Sequence, residues 1–164
     1  MITQSCGLKL LGNLASGEPV YDRFYSHLHG EVSELLPEIF ATVSGTQNFM
    51  ICEHDFGRIV GVTTCVATDE GDQVLYAQRP KRAGLTRFVM NRQAEPCSTA
   101  VIILKKDLYR PYYVLITAFI GRESGPEPWD IRATDENWAF WNCHALVYGS
   151  EEIIPGTETT ICPW

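Results

Sequence analysis

The chain has 164 residues, 45% hydrophobic and 20% charged, with a formal charge of −7; this supplies a real core, excludes a disordered chain, and argues against a broadly cationic coat for nucleic acid. No window approaches the roughly 20 apolar residues of a membrane helix. The first twenty residues also lack the basic-then-apolar order of a secretory signal, so a single cytoplasmic domain over residues 1–164, without membrane contact, is expected.

Residues 1–17 show little pattern. From Val20, apolar residues recur every three or four positions through Phe24, Leu28, Val32, Leu36, Ile39 and Val43, the stripe of an amphipathic helix. Gly30 and Pro37 interrupt it, so one helix and a pair of helices both satisfy the pattern. From Asn48 the texture changes to short runs of Val, Ile, Thr and Tyr punctuated by Gly, Asp and Pro, which predicts strands near 48–54, 58–67, 73–78, 85–90, 98–106 and 112–120. Their connections are too short for helical crossovers, so the sheet should be mainly antiparallel. A Pro- and Gly-rich loop follows Gly121, then Thr134-Asp-Glu caps a helix predicted over 135–147, with Trp138, Trp141 and Ala145 on a core face. The fold class expected is α+β: an N-terminal helix or helix pair on a mainly antiparallel sheet of about five or six strands, with a Trp-rich C-terminal helix. The tail from Glu151 to Trp164 reads as an irregular or edge segment.

Six cysteines occur with no C-x-x-C and no pair closer than 13 residues. That spacing argues against zinc, and reduced thiols are expected, with Cys52 and Cys65 as small core residues. His27 and His29, two apart on the first helix, face different ways and do not make a metal pair. Neither a metal nor another cofactor is expected. Phosphate-loop, nucleophile-elbow, dinucleotide and zincin motifs are all missing.

Charge is distributed unevenly. The stretch from Tyr76 to Arg92 holds Arg79, Lys81, Arg82, Arg87 and Arg92 and no acidic residue; with +5 here and −7 in all, the remainder carries −12. Such an island suits one phosphate or a short phosphodiester track, or an acidic partner protein. Within it Leu85, Arg87 and Val89 share one strand face, so Arg87 is either half-buried and paired or aimed into a site. His54 ends the first predicted strand, where a side chain is both held and exposed. Thr117 interrupts an otherwise apolar strand.

The order of these features resembles the metal-independent ribonucleases and toxins related to barnase, EndoU, the colicin nucleases and RelE: helices first, then an antiparallel sheet with His54, the Arg-rich middle, and Thr117-Ala-Phe-Ile-Gly121. The likeness covers about residues 20 to 121, and the acidic charge departs from that group's frequently basic members. It implies an endoribonuclease in which a ribose 2′-hydroxyl attacks the neighbouring phosphate. His54, Arg87 and Thr117 are then the catalytic candidates and Arg79, Arg82 and Arg87 the phosphate ligands, with His144 or Tyr76 as the second proton carrier. RNA or another phosphate-containing ligand would be the substrate, and a protein partner of antitoxin type is compatible. The alternative is a non-catalytic module that docks an acidic partner through residues 79–92.

Overall fold

A computed structural model describes residues 2–3, 9–10, 27–28, 30–43, 47–109 and 112–164. These form an α+β protein with mainly antiparallel sheets. The chain divides into two compact units, Met1–Gly61 with Pro96–Glu123, and Val62–Glu95 with Ser124–Trp164.

In the first unit the strands are β1 (Ile2–Thr3), β2 (Lys9–Leu10), β3 (His27–Leu28), β4 (Phe49–Asp55), β10 (Thr99–Lys106) and β11 (Tyr112–Ile120), in the order β1-β2-β11-β10-β4, with β3 also on β11. The antiparallel ladders β4/β10 and β10/β11 run the full length of these strands, with a bulge at Ile103/Leu104. β10 is buried on both faces, as its unbroken apolar run predicts. A 3-10 helix (Gly30–Leu35) leads into α1 (Leu36–Thr42), which tolerates Pro37 because it lies in the first turn. Val32, Leu36, Ile39, Phe40 and Val43 pack on Met50, Ala100, Ile102, Leu104, Leu115 and Ala118. Fully burying each such aliphatic side chain contributes about 1.5–3 kcal/mol.

The helix expected from Val20 is corrected at His27 and Leu28. His27 and Leu28 are strand, paired in parallel with Thr117 and Ala118, while β2 pairs with Tyr112 and Tyr113. Two short segments thus satisfy one edge of β11, and at His27–Leu28 helical spacing yields to that demand for backbone partners. Residues 20–26 and His29 lie outside the described residues. The lead-in, read as patternless, supplies β1 and β2.

The second unit holds β6 (Cys65–Ala67), β7 (Val74–Gln78), β8 (Leu85–Val89) and β12 (His144–Val147), in the order β6-β12-β8-β7. Two short strands, β5 (Gly61–Thr63) and β9 (Glu95–Cys97), fall at the unit boundaries in the sequence. β7 and β8 form an antiparallel hairpin, and β12 runs parallel to β8. α2 (Asp135–Cys143) begins at a capping box in which Thr134 Oγ1 accepts the Asn137 N–H and Asn137 answers the Thr134 N–H. It stops four residues short of the helix predicted to 147, because His144 to Val147 join the sheet between β6 and β8. Ala145 is therefore a strand residue; Trp141 is buried with Ala77, Phe88 and Leu146, whereas Trp138 is exposed. Separate sheets replace the single one expected.

The tail covers the outer edge of β7. Tyr76 and Thr159 exchange backbone hydrogen bonds of 2.8 Å, the Ile154 N–H donates to the Gln78 carbonyl, and Trp164 packs edge-on against Tyr76. An otherwise open strand edge is closed by an irregular segment.

Candidate functional site

The predicted site residues fall in both units. His54 and Thr117 belong to the first, Tyr76, Arg79, Arg82, Arg87 and His144 to the second.

His54 lies on β4 opposite Ala100, on the face that packs against α1; Thr117 lies opposite Ile103 on β11, three residues further along β10. Side chains alternate along a strand, so an odd offset puts His54 and Thr117 on opposite faces of this sheet. They do not form one cleft.

What surrounds His54 comes from α1 and from the residues just after β4. Thr42, the last residue of α1, donates its hydroxyl to the Ile39 carbonyl at 2.8 Å. Its oxygen therefore accepts the Nδ1–H of His54 at 3.3 Å, and Nε2 takes no part in that bond. Phe56 meets the imidazole edge-on at 4.6 Å, and the Arg58 guanidinium lies over the same phenyl ring at 5.2 Å. Arg58 makes a two-pronged bridge to Glu38 on α1, at 3.2 and 2.8 Å. The hydrogen bond from Arg58 is the main cause that holds the Glu38 carboxyl below its usual range, with the charges of Arg58 and His54 acting in the same direction. Both Arg58 and Glu38 are about half exposed, so their bridge is open to exchange with an incoming anion. Glu38, Thr42 and His54 thus lie in one chain of contacts with the Arg58 cation. Of these only His54 stood out in the sequence; the available signal for Arg58 was its place four residues after His54, across the turn at Gly57.

The basic stretch of the second unit is largely neutralised from within. Arg79 Nε donates to Thr86 Oγ1 at 3.0 Å and Nη2 to Glu127 Oε2 at 2.8 Å. Thr86 is fully buried and Glu127 is 7% exposed, so this is an internal ion pair. Arg87 Nη1 donates to Thr68 Oγ1 at 2.8 Å and to the His144 carbonyl at 2.9 Å. Of the two roles foreseen for Arg87, half-buried and paired is the one observed. Arg92 bridges Asp72 and Asp69, each at 2.9 Å. The Arg92 hydrogen bond chiefly, with the Asp69 backbone, lowers the Asp72 carboxyl to about 2.

A folded-state value below the unfolded one, near 3.9, gives stability that is complete above about pH 4 and lost as pH falls through about 2. Arg92→Leu should raise the Asp72 value toward the ordinary range and shrink this acid margin. A carbon-detected titration of Asp72, paired with urea unfolding between pH 2 and 5, measures both.

Arg82 and Lys81 remain exposed. With Arg79, Pro80, Glu151 and Glu152 they line an open cleft of about 280 Å³, and Lys81 holds a left-handed backbone with φ 61°. Tyr76 is buried; burial first, then its hydrogen bond with Cys162, raises its hydroxyl against the opposing bond from Arg87, so it stays protonated. His144 stacks on Phe140 at 3.9 Å and donates Nδ1–H to the Phe140 carbonyl at 3.0 Å, closing the C-terminal end of α2. Burial, with the charge of Glu127, pushes the Cys65 thiol up to about 11, which fits a small core residue and not a nucleophile.

Comparison of the chain with family models, with curated proteins and with solved structures found no match.

Proposed function

We propose that the protein is a metal-independent endoribonuclease whose acid–base centre is His54 with Glu38, and whose phosphate-binding cation is Arg58. The observation that carries this reading is the anchoring of His54 through Nδ1 to Thr42, which directs Nε2 to proton transfer while Arg58 and Glu38 sit beside it. A phosphodiester entering the cluster exchanges with Glu38 for the guanidinium fork of Arg58. Released from that bridge, Glu38 gains basicity and accepts the ribose 2′ proton. The 2′ oxygen forms its bond to phosphorus as the bond to the 5′ oxygen breaks, and His54 Nε2–H delivers a proton to that leaving oxygen. The products are a 2′,3′-cyclic phosphate and a 5′-hydroxyl.

End-labelled RNAs incubated with the protein in excess chelator test this. Fragments ending in cyclic phosphate support the reading; no cleavage of any RNA, or fragments with 5′-phosphate, overturns it.

A second reading, docking of an acidic partner, is favoured by the exposure of Lys81 and Arg82 at their cleft. With Arg79, Arg87 and Arg92 bound internally, these two cations would carry it. Salt-sensitive binding of an oligoglutamate peptide should weaken at least about tenfold in Lys81→Glu/Arg82→Glu, since opposed charge costs more than charge removal. Equal binding by wild type and variant removes this reading.

A further inference from the structure

We infer that β4 is a docking edge for an extended strand of a partner protein that runs antiparallel to it and presents, in its own order, two basic and then two apolar side chains. The inference is independent of RNA cleavage and rests on the backbone. β4 is the last strand of its sheet, and among the described residues nothing pairs with its outer side. Which of its groups face outward follows from the register. The Lys106 N–H donates to the Asn48 carbonyl and the Phe56 N–H to the Ser98 carbonyl. The same ladder sets Met50, Cys52 and His54 opposite Leu104, Ile102 and Ala100, at the even spacing that exchanges hydrogen bonds with β10. Phe49, Ile51, Glu53 and Asp55 therefore direct their N–H and C=O groups away from β10.

The side chains of these same four residues project from the face opposite α1, and all four are exposed, Phe49 at 55% and Ile51 at 41%. The edge thus reads, in order, two apolar residues and two carboxylates. A strand laid along it would exchange paired hydrogen bonds with each of the four. Its side chains directly opposite would meet Phe49 and Ile51 with apolar groups and Glu53 and Asp55 with Lys or Arg.

Charge and register argue against a second copy of this chain. Antiparallel pairing of two β4 strands over their whole length sets Phe49 against Asp55 and Ile51 against Glu53, and parallel in-register pairing sets carboxylate against carboxylate. Both are unfavourable cross-strand pairs.

The test uses the full chain, nitrogen-15 labelled, and the capped peptide Thr-Lys-Thr-Lys-Thr-Val-Thr-Val-Thr, whose antiparallel alignment puts Lys on Asp55 and Glu53 and Val on Ile51 and Phe49. Amide signals of Phe49, Ile51, Glu53 and Asp55 should shift and gain exchange protection on titration, while those of Met50 and Cys52, already bonded to β10, gain none. Ile51→Pro removes an outward N–H without removing a rung to β10, so it should keep the fold and bind at least about tenfold more weakly. Glu53→Lys should lose a similar factor and keeps the inference testable if the proline variant does not fold. Shifts centred elsewhere, no shift at millimolar peptide, equal affinity of Glu53→Lys, or a peptide-free dimer joined through β4 would each overturn the proposal.

Discussion

Arg79→Ala should destabilise the protein by about 3–5 kcal/mol, the range for removing one partner of a buried ion pair. Arg79 is 17% exposed and Glu127 7%, so little solvent reaches the carboxylate once the guanidinium is gone. Glu127 Oε1 is already buried with no hydrogen-bond partner among the described residues, and the substitution would strand Oε2 as well. Thr86, fully buried, loses the donor it accepts from Arg79 Nε. The cost arises from the abandoned charge and not from the net value of the pair, so Arg79→Met combined with Glu127→Leu should recover most of the loss. Urea unfolding of the two single variants and the double variant gives the coupling directly. If Arg79→Ala instead unfolds at the wild-type midpoint and only weakens phosphate binding, Arg79 is a ligand-binding cation and its structural role is wrong.

That experiment touches the stretch whose internal pairing was least legible in the sequence. A window of five cations and no anion looks like a binding surface, yet the anions that absorb it lie elsewhere in the chain: Asp69 and Asp72 for Arg92, Glu127 for Arg79. Arg87 was half legible, because its place between Leu85 and Val89 demanded either pairing or a site. Its partners, Thr68 and the His144 carbonyl, are fixed only once β12 inserts beside β8. Of the strands from 49 to 120, those at 49–55, 74–78, 85–89, 99–106 and 112–120 were read to within about two residues where Gly, Asp and Pro mark their turns, whereas the run at 58–67 proved to be β5 and β6 and the short β9 was missed. His27 and Leu28 were misread because helical spacing of apolar residues does not exclude a short strand when a neighbouring edge lacks partners. His54 and Thr117 illustrate a further limit. Each was reasonable alone, but whether they share a face depends on the registers of three strands, which no single strand encodes.

His54→Ala should lower RNA cleavage by about 10²- to 10⁴-fold, the usual contribution of a positioned acid or base. Glu38→Gln should fall in the same range, for it keeps a hydrogen bond to Arg58 and loses only the capacity to take a proton. Neither change should disturb folding, since the Arg58–Glu38 bridge is solvent-exposed and His54 is half-exposed at the sheet edge. Loss of activity alone does not separate a proton donor from a residue that shapes the site, and the leaving group provides the distinction. An RNA carrying sulfur in place of the 5′ bridging oxygen expels a thiolate, which departs without protonation. On this substrate His54→Ala should recover to within about tenfold of wild type, whereas Glu38→Gln should remain slow because the 2′ proton still needs an acceptor. Arg58→Lys should retain part of the activity on both substrates, having kept the charge and lost the fork. If the sulfur substrate rescues Glu38→Gln and not His54→Ala, the acid and base are exchanged; if it rescues neither and Thr42→Val is as damaging as His54→Ala, the histidine orders the end of α1 and carries no proton.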